Sequence, residues 1–287
     1  MTSAVYVPLL LAAVMALVAP RLTHRLAPGS AAWTLALTSV VAAVAMLASL
    51  GLLAWPVVAE LPPVAELGKW RPGAVASASP VPTPVAAVAL AVLVLLAWRL
   101  VHRAADVVDE TRTVFRMERR LPSRHGPARL VLVDDPVPVA HALAGLPRCG
   151  GHIVVSTGIL ETLDDAELRH AVYEHERAHL RHHHAALRLL ADLAVAVNPL
   201  LKQTHRQTVF LLERWADEDA AKATSRAATA EALATVSLAT ISMQHGLAFH
   251  VVGVPARVDA LLAAAPTSRL RAVIVAITLT GLCAIAA

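Results

Sequence analysis

The sequence predicts a mainly α-helical membrane protein with about four transmembrane helices and an inserted cytoplasmic α+β domain. Three observations carry this. Hydrophobic residues fill 57% of the 287 positions and mean hydropathy is +0.60, above the usual range of a soluble domain. Aromatic residues are only 3%, so the apolar mass is Ala, Val and Leu, which fills helices better than an aromatic-rich sheet core. The apolar stretches are separated by one charged region, from about Arg103 to Ala265, that contains two short Val/Ile-rich runs.

Taken in order, Met1 to Pro20 carries no charged side chain, and the first arginines, Arg21 and Arg25, follow it. A secretory signal would put its positive charge in front of the run, so a retained span is expected. Ala31 to Ala59 is uncharged and, at about 1.5 Å per residue, long enough to cross a hydrocarbon core of about 30 Å. A third span, Val85 to Val101, is entered through "PVPTP" and interrupted only by Arg99, which can reach back to the interface. Ala272 to Ala287 is the fourth. This divides the chain into a three-helix membrane region (1–102), a cytoplasmic domain (103–265) and a C-terminal span (266–287). Orientation follows the positive-inside tendency. Arg21 and Arg25 mark the first loop as cytoplasmic, and Arg103, Arg112, Arg116, Arg119, Arg120, Arg269 and Arg271 mark the inserted domain. The expected location is the plasma membrane, multi-pass, with both chain ends outside.

Within the domain, "ARLVLVDD" and "GHIVVSTGIL" read as strands bounded by Pro, Gly and Asp. "DDAEL" opens a helix, with Asp164 as its cap and Glu167 reaching back, that should continue through the histidine stretch. Further helices are expected over Ala185 to Val197, halted at "NP", then Thr204 to Thr224 and Ala227 to Met243. Cys149 and Cys283 lie far apart, so no disulfide framework is indicated. A formal charge of +4, with basic residues flanking apolar runs, gives no nucleic-acid surface.

The chemistry concentrates in "AVYEHERAHLRHHH". His175 and His179 are four apart, so a helix puts both rings on one face, one turn apart, where two imidazoles can share a Zn2+ ion. Glu176 sits about 100° round the helix, placed to take a proton from water activated by the metal. Together these make H-E-x-x-H. Arg177 falls on the solvent side, and His182 with Ala185 excludes the metzincin extension. His182, His183 and His184 read as a hydrated turn or helix end. A catalytic zinc needs a third protein ligand. In "LLERWADEDA", Glu213 is placed to reach the histidine pair and Asp217, one turn on, to orient a ligand histidine.

The strand "IVVSTGIL", the helix entry "DDAEL", "HERAH", "NPL" and "ERWAD" resemble the membrane-bound gluzincins: HtpX-type and CAAX-prenyl-protease-type peptidases and, in layout, the BlaR/MecR sensor-transducer peptidases. The resemblance covers about Arg129 to Leu262 at motif level. It implies His175, His179 and Glu213 as zinc ligands, Glu176 as general base and Asp217 as their support. Where the family pattern often has an aspartate, five residues after the second histidine, this chain has His184. The BlaR/MecR penicillin-binding sensor, with its Ser-x-x-Lys nucleophile, has no counterpart in this sequence, so direct β-lactam sensing is not expected. The expected activity is a membrane-anchored zinc metalloendopeptidase acting on a cytosolic or membrane-proximal protein, such as a repressor, with an edge strand near Ile153 to Ser156 holding the substrate. Membrane quality-control proteolysis, a non-catalytic zinc-binding receptor or scaffold, and a His-rich metal-binding protein are the alternatives.

Overall fold

The computed structural model describes residues 26–71, 73–118, 129–143, 151–243 and 253–265. The expected first and fourth spans lie outside these residues, as do Arg21, Arg25, Arg119, Arg120, Arg269, Arg271, Cys149, Cys283, His245 and His250.

Helix α1 (Pro28–Val58) starts with proline in its first position, where the missing N–H costs nothing. It is uncharged throughout. At its end the Trp70 indole donates to the Ala59 carbonyl at 2.9 Å, and the Glu60 carboxylate accepts from the Gly73 backbone N–H at 2.6 Å. These bonds fold the connection, with short helices α2 (Pro62–Gly68) and α3 (Ala74–Ala78), back toward α1. Helix α4 (Thr83–Glu118) then returns antiparallel. Leu50, Leu53 and Ala54 of α1 pack on Ala89 and Leu96 of α4. Among the described residues, these two helices are long and apolar enough to cross a membrane, with windows of mean hydropathy 2.2 and 2.3. They match the second and third expected spans. No break separates span from domain at position 102, because α4 continues past Arg103 as one helix.

Among the described residues the sheet has three strands, β1 (Arg129–Val133), β2 (Ala140–Leu143) and β3 (His152–Ser156), in the order β1-β3-β2. Strand β3 pairs parallel with β1 and antiparallel with β2, and it supplies the buried Ile153 and Val155. The expected edge strand at Ile153 to Ser156 is therefore the centre of the sheet. The open side near the histidines belongs to β2, a run of four residues too short to stand out in the sequence. The expected strand also stops at Ser156, whose hydroxyl accepts from the Ile159 N–H at 3.3 Å and starts helix α5 (Thr157–Thr162).

Helix α6 (Ala166–Arg181) is capped by Asp165, which accepts from the Glu167 N–H at 2.7 Å. The expected cap, Asp164, sits one residue too early. Its side chain precedes the position from which the first free N–H groups can be reached. The helix also stops short of the full histidine stretch. His182 is its C-cap and His183 takes a left-handed φ of 53°, so the chain turns before α7 (His184–Val197). At the far end of α7, the Asn198 side chain accepts from the Leu200 N–H at 3.2 Å. Pro199 then opens a 3₁₀ turn (Pro199–Leu201) that leads into α8 (Lys202–Ala223). Helices α9 (Arg226–Met243) and α10 (Val254–Leu262) complete the domain.

The α7–α8 hairpin lies along α1. Ala31, Ala32, Leu35 and Ala36 meet Leu187, Leu211 and Leu212, and further along Ala42 and Ala43 meet Ala194, Val197 and Leu201. The N-terminal end of α1 thus rests on the part of α8 that carries Glu213 and Trp215. A close approach occurs at Gly29, where a Cβ would fall 2.7 Å from the Trp215 ring. Gly29→Val should push α1 off α8 and cost about 1–3 kcal/mol, read as a lower Tm of the full chain in detergent. An unchanged Tm would show that this contact does not hold the two helices together.

Candidate metal centre

Helix α6 brings His175 and His179 onto one face, with Nε2 atoms 3.2 Å apart. From the neighbouring α8, Glu213 reaches between them, Oε2 lying 3.5 Å from His175 Nε2 and Oε1 3.7 Å from His179 Nε2. These three residues form a group of potential ligand atoms that all lie within 4.8 Å of one another. The other nitrogen of each ring is already engaged. His175 Nδ1 is 3.0 Å from Asp217 Oδ1, and His179 Nδ1 is 2.8 Å from His184 Nδ1. Such anchoring fixes each imidazole with its Nε2 aimed at the common point, as a metal site requires. The donor set of two imidazoles and one carboxylate fits zinc and leaves a coordination position for water.

His184 corrects the sequence reading of a hydrated turn. It is 2% exposed, because the left-handed turn at His183 carries it inward as the first residue of α7. Its ring lies beside that of His179, at the position where the resembled family pattern often has an aspartate. His182 and His183 do lie at the helix end, but His182 is also fixed: its ring stacks on Trp215 with centroids 4.1 Å apart, and Nε2 is 2.6 Å from Asp219 Oδ2. Arg181 and Lys222 bind the same carboxylate. His182 therefore points away from the pair formed by His175 and His179, and Glu213 converges on that pair. Arg177 is on the outer face, bound to Glu174, as its helical position implied.

Arg257 of α10 was not singled out from the sequence. It lies in a short apolar helix with nothing nearby to mark it. Yet it is 7% exposed and grips Asp217 through two bonds of 2.6 and 2.8 Å, with a further contact of 3.2 Å to Glu213 Oε2. The electrostatics follow from this packing. Burial opposes ionisation of both Glu213 and Asp217, but His175 and Arg257 outweigh it and hold both carboxyls below their ordinary range. Burial likewise opposes charge on His175, and the hydrogen bonds to Asp217 and Glu213 overcome it, raising its pKa to about 10. His179 goes the other way, to about 4, through burial and the charge of its neighbour His175. Glu213 and Asp217 thus give His175 two acidic neighbours, and a divalent cation beside Glu213 would displace a proton carried on His175 Nε2. Burial raises Glu176 to about 7, with a backbone bond from Ala142 of β2 working against the shift. A carboxyl near neutrality is matched to moving protons at physiological pH.

These residues line a cavity of about 600 Å³, walled by Pro138 to Ala142 on one side and by α9 on the other. The family model of peptidase family M48 matches residues 102–245, half of the chain. The chain belongs to peptidase family M48. It is therefore a metallopeptidase, of a family whose members are metal-dependent and typically use zinc. The matched region contains His175, Glu176, His179, Glu213 and Asp217, whereas α1 and Arg257 lie outside it. No curated protein and no solved structure matches the chain.

Removing Arg257 would leave Asp217, 1% exposed, with only a titratable histidine as partner. Uncompensated buried charges cost about 3–5 kcal/mol. Arg257→Ala should lower the Tm of the full chain markedly and weaken its metal retention during dialysis. Wild-type values for both would show that Asp217 is held by something else.

Proposed function

We propose that this M48 metallopeptidase is a membrane-anchored zinc endopeptidase that cuts a cytosolic or membrane-proximal protein. One observation carries the reading: His175, His179 and Glu213 converge beside Glu176 in a groove large enough for an extended peptide. His175, His179 and Glu213 would hold the metal, and Asp217 and His184 orient the two histidines. When bound, zinc would polarise the scissile carbonyl and make the attacking water more acidic. Glu176 takes the water's proton and passes it to the leaving amine. Strand β2 receives the substrate backbone, since among the described residues it is the outer strand of the sheet on the side of Glu176 and can add one more strand.

Membrane anchoring draws support from the two apolar helices and from the way α1 packs directly on α7 and α8. A plasma-membrane location with the peptidase domain in the cytoplasm is favoured by the arginines that follow the apolar part of α4. The resemblance of the sequence layout to BlaR/MecR peptidases favours a regulatory substrate, such as a transcriptional repressor.

Purified Glu176→Gln should bind as much zinc as wild type and cut no protein or peptide, because that side chain handles a proton and holds no metal. Equal turnover by the mutant would remove Glu176 from the mechanism. Topology has its own test. A phosphatase fused after Arg120 should be inactive and a fluorescent protein at the same point active. The reverse pattern would put the site outside the cell and end the proposal of a cytosolic substrate.

A further inference from the structure

Most charges that line the cavity are committed to one another. Glu213 and Asp217 are bound by His175 and Arg257. Of the two arginines on the cavity wall, Arg257 is thus neutralised and buried. Arg188 is different. It is exposed on α7, lines the cavity, and has no carboxylate partner among the described residues. Asp192, one turn further along α7, is taken by Arg103 at 3.2 Å and His205 at 2.5 Å. Leu212, Leu233 and Val236 present apolar surface to the same cavity as Arg188.

We propose that Arg188 is a specificity-determining residue that selects an acidic side chain on the substrate. The inference rests on the reading of His175, Glu176, His179 and Glu213 as a peptidase site. Arg188 is four residues after His184, whose ring touches His179, so the two are one turn apart, about 6 Å along the helix and on the same face. An extended substrate advances about 3.3 Å per residue, so a side chain within about three residues of the scissile bond meets the guanidinium. There a carboxylate forms a charge-assisted and often bidentate hydrogen bond. A lysine or arginine at the same place is repelled. Glu213 and Asp217 on the cavity wall are already paired with His175 and Arg257, and Leu212, Leu233 and Val236 offer a basic side chain no counter-charge.

The test uses full-length, zinc-loaded protein in detergent and a library of C-terminally amidated peptides, with cleavage sites read by mass spectrometry. Amidation removes the chain-terminal carboxylate, so any preference comes from a side chain. Wild type should enrich Asp and Glu at one position within three residues of the cut, with kcat/KM about tenfold above the Asn and Gln counterparts. The ratio should shrink as salt is raised. Arg188→Lys should keep the preference, Arg188→Ala should lose it, and Arg188→Glu should reverse it toward Lys and Arg, all with wild-type zinc content. An unchanged profile in Arg188→Glu overturns the proposal and leaves the peptidase reading intact. So does a loss of binding to anionic vesicles with no change in profile, which would assign Arg188 to the lipid surface. If wild type cuts nothing while retaining zinc, the peptidase reading falls and the subsite with it.

Discussion

Asp217 is the point on which the arrangement turns. A carboxylate out of reach of water is tolerated only when its charge is matched by close, well-directed cations. Asp217 has two, and they come from different parts of the chain: His175 from α6 and Arg257 from α10. One buried charge therefore fixes the relation of three helices. It also sets the orientation of His175, since the bond to Nδ1 leaves Nε2 as the atom that faces Glu213 and His179. Arg257 in turn touches Glu213, so the residues that hold the geometry and those available for a metal form one network.

The apolar helices are part of this framework. The α7–α8 hairpin is continuous in packing with α1, through clusters of small residues that let the helices approach closely. Trp215 connects the two regions, lying against Gly29 on one side and stacked on His182 on the other. A shift of α1 relative to α8 would thus be felt at the turn that carries His184 inward.

Much of the site was legible in the sequence because its spacing is local. His175, Glu176 and His179 are fixed by helical periodicity, and Glu213 with Asp217 repeats that logic one helix pair later. The apolar helices were legible from length and charge alone. What escaped depended on tertiary contacts. Strand β2 is four residues long and is defined by its pairing with β3, which also moved the edge of the sheet away from Ile153 to Ser156. His184 looked solvated because it ends a polar run, and only the left-handed turn at His183 buries it. Arg257 lies forty residues beyond Asp217, and no local pattern connects them. The helix cap was displaced by one residue in a pair of adjacent aspartates, where composition offers no distinction.

X-ray absorption at the zinc edge, on the full chain loaded with one equivalent of zinc, distinguishes a site of two histidines and Glu213 from a histidine-rich one. The expected spectrum shows a shell of nitrogen and oxygen only, with scattering from two imidazole rings, and a changed oxygen contribution in Glu213→Gln while both rings remain. Three or more imidazoles around the zinc, with no response to Glu213→Gln, would contradict it and point to the histidine run as the metal-binding element.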